Sequence, residues 1–214
     1  WSLDEERPPP SDLIVAGLDN LPSLIEEFQS LGVRIIFSAL PDKPAERVER
    51  NLAAAGFLVI SHAQIHRLQS DVPLIVPEVN IHHLSLLQKQ SGSSDGRLIA
   101  CSNCMVLPIA ITLSPLIQIA EIKTVRIATQ QALSGGGRML LAEGRAGHQI
   151  SSDIPGEAES IVTELTKIMS SEFDIEAFCK RVMRDHGHYA RIEVEFEDQV
   201  SAHQVIREIG RAHV

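Results

Sequence analysis

No apolar run in this 214-residue chain approaches the roughly 20 residues that a membrane-spanning helix needs. The first ten residues, WSLDEERPPP, are acidic and Pro-rich, the reverse of a basic-then-apolar signal sequence. A block of clustered Lys and Arg is also missing. With 19 basic against 28 acidic residues, a net charge of −9 and a pI near 5.4, the chain has no means of neutralising a phosphate backbone, so nucleic acid is excluded as a partner. Cysteine is scarce: three residues, an odd count with no repeating framework, suit reduced thiols in a cytoplasmic compartment. A chain of this length needs no disulfide staples. Repeats and low-complexity tracts are absent. A first residue of Trp rather than Met, and the stop at GRAHV, read as the ends of a piece of something longer.

What is present is the composition of a folded globule, 44% hydrophobic and 22% charged. DLIVAGLD reads as a strand, LPSLIEEFQSLG as a helix, VRIIFSA as a strand, PDKPAERVERNLAAAG as a helix and FLVIS as a strand. Strand and helix alternating over short joints predict parallel βαβ units, hence an open α/β sheet. PLIVPEVN reads as a further strand, IHHLSLLQKQ as a short helical segment and RLIACS as another strand. Beyond Cys104 come an apolar helix, the strand TVRIATQQ, glycine-rich LSGGGR, a loop without clear periodicity and the helix PGEAESIVTELTKIM. EAFCKRVMR and YARIEVEFE alternate apolar and charged residues, which predicts a half-exposed mixed or antiparallel sheet. VSAHQVIREIG closes the pattern as an amphipathic helix. The boundary falls near Cys104, giving domains 1–103 and 104–214.

The chemistry-bearing feature is C-x-x-C at 101–104, and the residues alone leave three readings open. A zinc site wants four N or S ligands and usually a second Cys pair, which the chain lacks; Cys179, His186 and His188 complete a set only by coincidence of folding. A redox dithiol fits the strand-then-helix context. A single activated thiol also fits, since Cys104 opens a helix whose first turn favours thiolate through its dipole and unsatisfied N–H groups. Cys101, on the apolar strand, reads as a small buried hydrophobe. LSGGGR at 133–138 is a turn able to approach a phosphate closely. RDHGHYAR offers His186 and His188 as bases, with Arg181 and Arg184 as carboxylate clamps.

Five segments in order resemble the aspartate-semialdehyde dehydrogenases, on their archaeal and fungal-type branch: FSALPD at 37–42, SHAQIHRLQSDVPLIVPEVN at 61–80, CSNC at 101–104, TQQALSGGG at 129–137 and RVMRDHGH at 181–188. The resemblance implies a partial Rossmann-like domain followed by a partial catalytic and dimerisation domain. It lands the nucleophile on Cys104, preceded by Asn103, an orienting amide on Gln131 and the acid/base on His188. It lands the substrate carboxylate on Arg181, the substrate amino group on Glu157, and phosphate on Arg67 and Asn103. Ser38, Ala39, Ser134 and Gly135 would approach the nicotinamide cofactor, NADP; no metal is implied. The partners implied are a small-molecule substrate and inorganic phosphate, with a homodimer or homotetramer as the assembly.

The implied chemistry interconverts L-aspartate 4-semialdehyde plus phosphate and L-aspartyl 4-phosphate through a cysteine thioester, which one thiol suffices to carry. Three departures stand against the family pattern. The glycine-rich dinucleotide turn and the C-terminal portion have no counterpart in these residues. Ser160 stands where a phosphate-binding Lys is expected, and Ser102 replaces a Pro before Asn-Cys. An acyl-CoA reductase, acting on malonyl- or succinyl-CoA without a phosphate pocket, and a non-catalytic interaction protein retaining the fold are the alternatives.

Overall fold

The computed structural model describes residues 17, 18, 20–90 and 95–211. The strand read at DLIVAGLD falls largely outside them. The first helix, α1 (Leu21–Ser30), starts where the Asn20 side chain accepts the Ser23 amide at 3.4 Å. Then β1 (Ile35–Ser38), α2 (Asp42–Ala54) and β2 (Leu58–Ser61) form the expected parallel unit, with Ile35 beside Leu58 and Ser38 beside Ser61. A short strand β3 (Leu74–Ile75), one helical turn α3 (Pro77–Asn80), a 3₁₀ run over 81–89 and β4 (Arg97–Cys101) complete this half. The sheet order is β1-β2-β4-β3, all parallel.

The second half comprises α4 (Val106–Ile117), β5 (Ile122–Gln131), α5 (Gly137–Arg145), α6 (Glu157–Met169), β6 (Asp174–Arg181), β7 (Tyr189–Phe196) and α7 (Ala202–Arg211). Its sheet order is β6-β5-β7, with β5 parallel to β6 and antiparallel to β7, so the sheet is mixed. β6 and β7 alternate exposed and half-buried residues along their whole length, as one-sided strands must. One contiguous core joins the halves: Val59 and Leu98 of the parallel sheet pack through Ile109 and Leu113 of α4 to Val125 and Ile127 of β5 and Ile161, Leu165 and Ile168 of α6. Among the described residues no helix is long and apolar enough to cross a membrane.

Two segments differ from the sequence reading. PLIVPEVN is strand only at Leu74–Ile75; Pro77 pre-sets a helical φ, and the Asn80 amide closes the turn by accepting from Val76 N at 2.8 Å and donating to Leu74 O at 2.8 Å. The loop after LSGGGR is the helix α5, anchored by buried Leu141. Its two glycines, Gly137 at the start and Gly144 inside, hid the periodicity. Gly144 is needed for packing, since a Cβ there would lie 2.4 Å from Leu133 Cδ1.

An ion pair is sealed inside the parallel-sheet half: His66 Nε2 lies 3.0 Å from Glu49 Oε2, and both side chains are 0% exposed. Burial pushes Glu49 up, but His66 and the hydroxyls of Ser38 and Ser61 outweigh it and leave the carboxyl below its ordinary range. Burial likewise pushes His66 down, and Glu49 with Gln69 more than reverses this. The pair thereby ties the carboxyl ends of β1 and β2 to the segment that carries Arg67.

Candidate active site

Both sheets deliver their chemistry at strand ends. β4 runs into Ser102, Asn103 and Cys104. In the mixed sheet, Gln131 closes β5 beside Arg181 at the end of β6, and His188 directly precedes β7. The amino end of α6 supplies Glu157.

The nucleophile candidate sits in a turn that Asn103 organises. The assigned helix begins at Val106, yet the Asn103 carbonyl already accepts the amides of Val106 (3.0 Å) and Leu107 (3.2 Å), and its side-chain Oδ1 accepts Met105 N at 2.7 Å. Asn103 therefore acts as the helix cap and sets Cys104 immediately inside it. Cys104 is exposed as a residue. The expectation that the helix start makes it a ready thiolate is corrected: surrounding protein and the Glu157 carboxylate push the thiol up, and the opposing pull of the Cys104 and Met105 amides and of Arg67 is smaller. Burial also raises Cys101 and Cys179. All three thiols are free, and among the described residues no group of three or more His, Cys, Asp and Glu side chains is placed to hold a metal ion.

Glu157 is the hub. Its Oε1 accepts from Asn103 Nδ2 at 3.0 Å and from Gln131 Nε2 at 2.6 Å. The same carboxylate raises Cys104 and resists the fall of His188, so its charge acts on thiol and imidazole alike. Burial and the Arg181 guanidinium push His188 down, which leaves it neutral near pH 7. Its Nδ1 accepts the Ala132 amide at 3.1 Å. The proton of the neutral ring accordingly sits on Nε2, where it is a donor.

Arg181 Nη1 donates to Ala132 O at 2.9 Å, tying its head to the β5 end. Gly135 fills the gap beside it: a Cβ there would lie 2.9 Å from both Arg181 Nη1 and His188 Cε1. Glycine is the residue that lets the 3₁₀ turn at 133–136 close over these two groups. Ser134 is half-buried in that turn, its amide donating to Asp185 O at 3.0 Å. His186 is exposed.

Arg67 is already engaged: Nη1 donates to Glu164 Oε1 and Nη2 to His62 O, each at 2.9 Å. Ser160 is buried and donates to the same Glu164 oxygen at 2.7 Å. Ser38, at the end of β1, is buried, whereas Ala39 is exposed. Glu164 and Lys167 went unnoticed in the sequence. The signal was there, because both fall on the helix face of Glu157 and Ser160, with Glu164 amid Ile161, Leu165 and Ile168.

Residues 17–87 match the family described as "Semialdehyde dehydrogenase, NAD binding domain". The chain is 35% identical over 181 residues to aspartate-semialdehyde dehydrogenase of Archaeoglobus fulgidus, covering 79% of this chain and 52% of that protein. It is 33% identical over 190 residues to malonyl CoA reductase (NADP) of Metallosphaera sedula, covering 81% and 52%. The crystal structure of aspartate semialdehyde dehydrogenase with NADP from Candida albicans superposes with a TM-score of 0.68 at 26% identity, over 85% of this chain and 55% of that one. The chain thus spans about half the length of the curated relatives it matches. Two sheets of the expected kinds, joined by one core, and relatives from archaea and fungi agree: the chain belongs to the aspartate-semialdehyde dehydrogenase family.

Proposed function

We propose that the chain carries the catalytic cysteine of an NADP-dependent aspartate-semialdehyde dehydrogenase, dividing at Cys104 into a nucleotide-binding part and a catalytic part. The observation that supports this best is convergence: Asn103 and Gln131 donate to the Glu157 carboxylate, whose charge also acts on Cys104 and His188, so four separate segments share one local field. In this reading the Cys104 sulfur adds to the aldehyde carbon of L-aspartate 4-semialdehyde and the thiol proton ends on the carbonyl oxygen, giving a tetrahedral thiohemiacetal to whose oxygen His188 Nε2 donates a hydrogen bond. Gln131 and Asn103 hold Glu157 toward the substrate ammonium, and Arg181 holds the carboxylate. The residues present fit a nicotinamide: Ala39 and Gly135 are exposed and offer backbone without side-chain bulk, Gly135 beside His188. A nicotinamide held there would supply a hydride acceptor, and oxidation of the adduct to a thioester would release the hydroxyl proton. Phosphate then displaces the Cys104 thiolate to give L-aspartyl 4-phosphate. A reduced thiol nucleophile suits a cytoplasmic setting, and the family resemblance supports a homodimer or homotetramer.

A second reading is favoured by one feature. Ser160 supplies no cation, and Arg67 is spent on Glu164 and His62 O, so little positive charge is left for a phosphate and an acyl-CoA such as malonyl- or succinyl-CoA becomes the donor. Formation of reduced nicotinamide from semialdehyde and NADP distinguishes the two. Dependence on phosphate supports the first reading. Dependence on coenzyme A, with phosphate inert, overturns it.

A further inference from the structure

We propose that Glu164 is a positioning residue for the thiol site: its buried carboxylate clamps the Asn103 backbone amide and the Arg67 guanidinium in one bridge and so sets where the Cys104 turn stands relative to that guanidinium. Glu164 is 1% exposed and lies on the apolar face of α6, where an unpaired carboxylate would be untenable. Both of its oxygens are engaged. Oε1 accepts from Arg67 Nη1 at 2.9 Å and Ser160 Oγ at 2.7 Å, and Oε2 accepts from Asn103 N at 2.7 Å. That amide precedes the first helical turn and would otherwise lack a partner. Three residues on, Lys167 Nζ donates to the carbonyls of Arg67 (2.7 Å), Gln69 (2.8 Å) and Val72 (2.8 Å), pinning the Arg67 segment to the same helix. The nucleophile turn and the Arg67 segment, from two different strand ends, are therefore held in register by one face of α6.

The consequence falls on Cys104. The charged groups facing it are Glu157 from α6 and Arg67 from the segment after β2, alongside the Cys104 and Met105 amides. Glu164 partly cancels Arg67 while fixing its position. The inference rests on Cys104 being the nucleophile for its catalytic meaning, but its test reads the thiol rather than turnover, so the two fail separately. The rate of Cys104 alkylation by iodoacetamide, resolved by peptide mass spectrometry across pH, is compared among the unaltered chain, Glu164→Gln, Arg67→Gln and the exposed same-helix control Glu159→Gln. Unmasking Arg67 lowers the titration midpoint, so Glu164→Gln is expected to speed alkylation at pH 7 by about threefold, and loss of the cation in Arg67→Gln to slow it by about threefold. The control leaves the rate unchanged. Where Glu164→Gln folds, a Cys104 profile identical to the control's overturns the proposal, even if its thermal midpoint drops. Where it does not fold, Arg67→Gln decides, and an unchanged rate there overturns the proposal.

Discussion

In the parallel-sheet half, Glu49 and His66 form an ion pair with both side chains at 0% exposure, whereas in the mixed-sheet half Glu157 stands half-buried at the open strand ends, its charge acting on two side-chain amides, a thiol and an imidazole. The first arrangement closes on itself. The second leaves Cys104 exposed and His188 with a proton on the nitrogen that its protein partner does not use. Both are acid-base pairs by residue type, and what separates them is the sheet beneath. Helix packing covers the parallel strands, so a charge there serves to hold Ser38, Ser61 and the Arg67 segment together. The mixed sheet ends at an open edge, so a charge there is available to chemistry.

Four experiments press on this contrast. The largest effect is expected from Cys104→Ala: acyl transfer falls by on the order of 10⁵- to 10⁶-fold, as when other catalytic nucleophiles are removed, while circular dichroism and thermal midpoint stay unchanged. Glu49→Ala should do the reverse. Leaving a buried imidazolium without its partner costs about 3–5 kcal/mol of stability in denaturant titration, with Cys104 alkylation little altered in whatever remains folded. Gly135→Ala comes next: the added Cβ displaces His188 and Arg181, and kcat falls by roughly 10²-fold for a shift of about 1 Å, with a small change in thermal midpoint.

The smallest effect is a pH dependence of stability. His66 is raised, so its contribution is complete below its ordinary 6.5 and is lost as pH rises through the higher folded value. Glu49 is lowered, so its contribution is complete above its ordinary 4.5 and is lost as pH falls through the lower folded value. The pair is therefore worth most between about pH 4.5 and 6.5, and thermal midpoints measured across pH should decline above that window in the unaltered chain. In Glu49→Gln the alkaline decline should flatten; a decline of the same size in both would remove His66 from the account.

The alternation of strands and helices up to β4 was legible because each element carries its own period: Val48 and Leu52 repeat at helical spacing, and Val59 and Leu98 sit in short β-branched or apolar runs. The mixed sheet was legible for the same reason, since β6 and β7 alternate residue by residue. α5 was not, because Gly137 and Gly144 remove the side chains from which a helical period is read, although Leu141 is its buried anchor. The grouping of Cys104, Asn103, Gln131, Glu157 and His188 came from resemblance to the family and not from spacing, as these positions lie on separate segments. What neither route supplied was the state of the site. The low thiol pKa expected at a helix start gives way first to burial and then to the Glu157 carboxylate, and Arg67, expected at a phosphate, also holds Glu164. Electrostatics of this kind depend on which side chain faces which, and that is decided only by packing.

The central claim, a covalent site at Cys104, is tested most directly by exposing the chain to L-aspartyl 4-phosphate without nicotinamide and mapping any hydroxylamine-labile acyl group by peptide mass spectrometry. One aspartyl group on the peptide bearing Cys104, absent in Cys104→Ser and much reduced in His188→Asn, is the expected result. An acyl group carried by Cys101 or Cys179 instead, or the same labelling in Cys104→Ser, would contradict it.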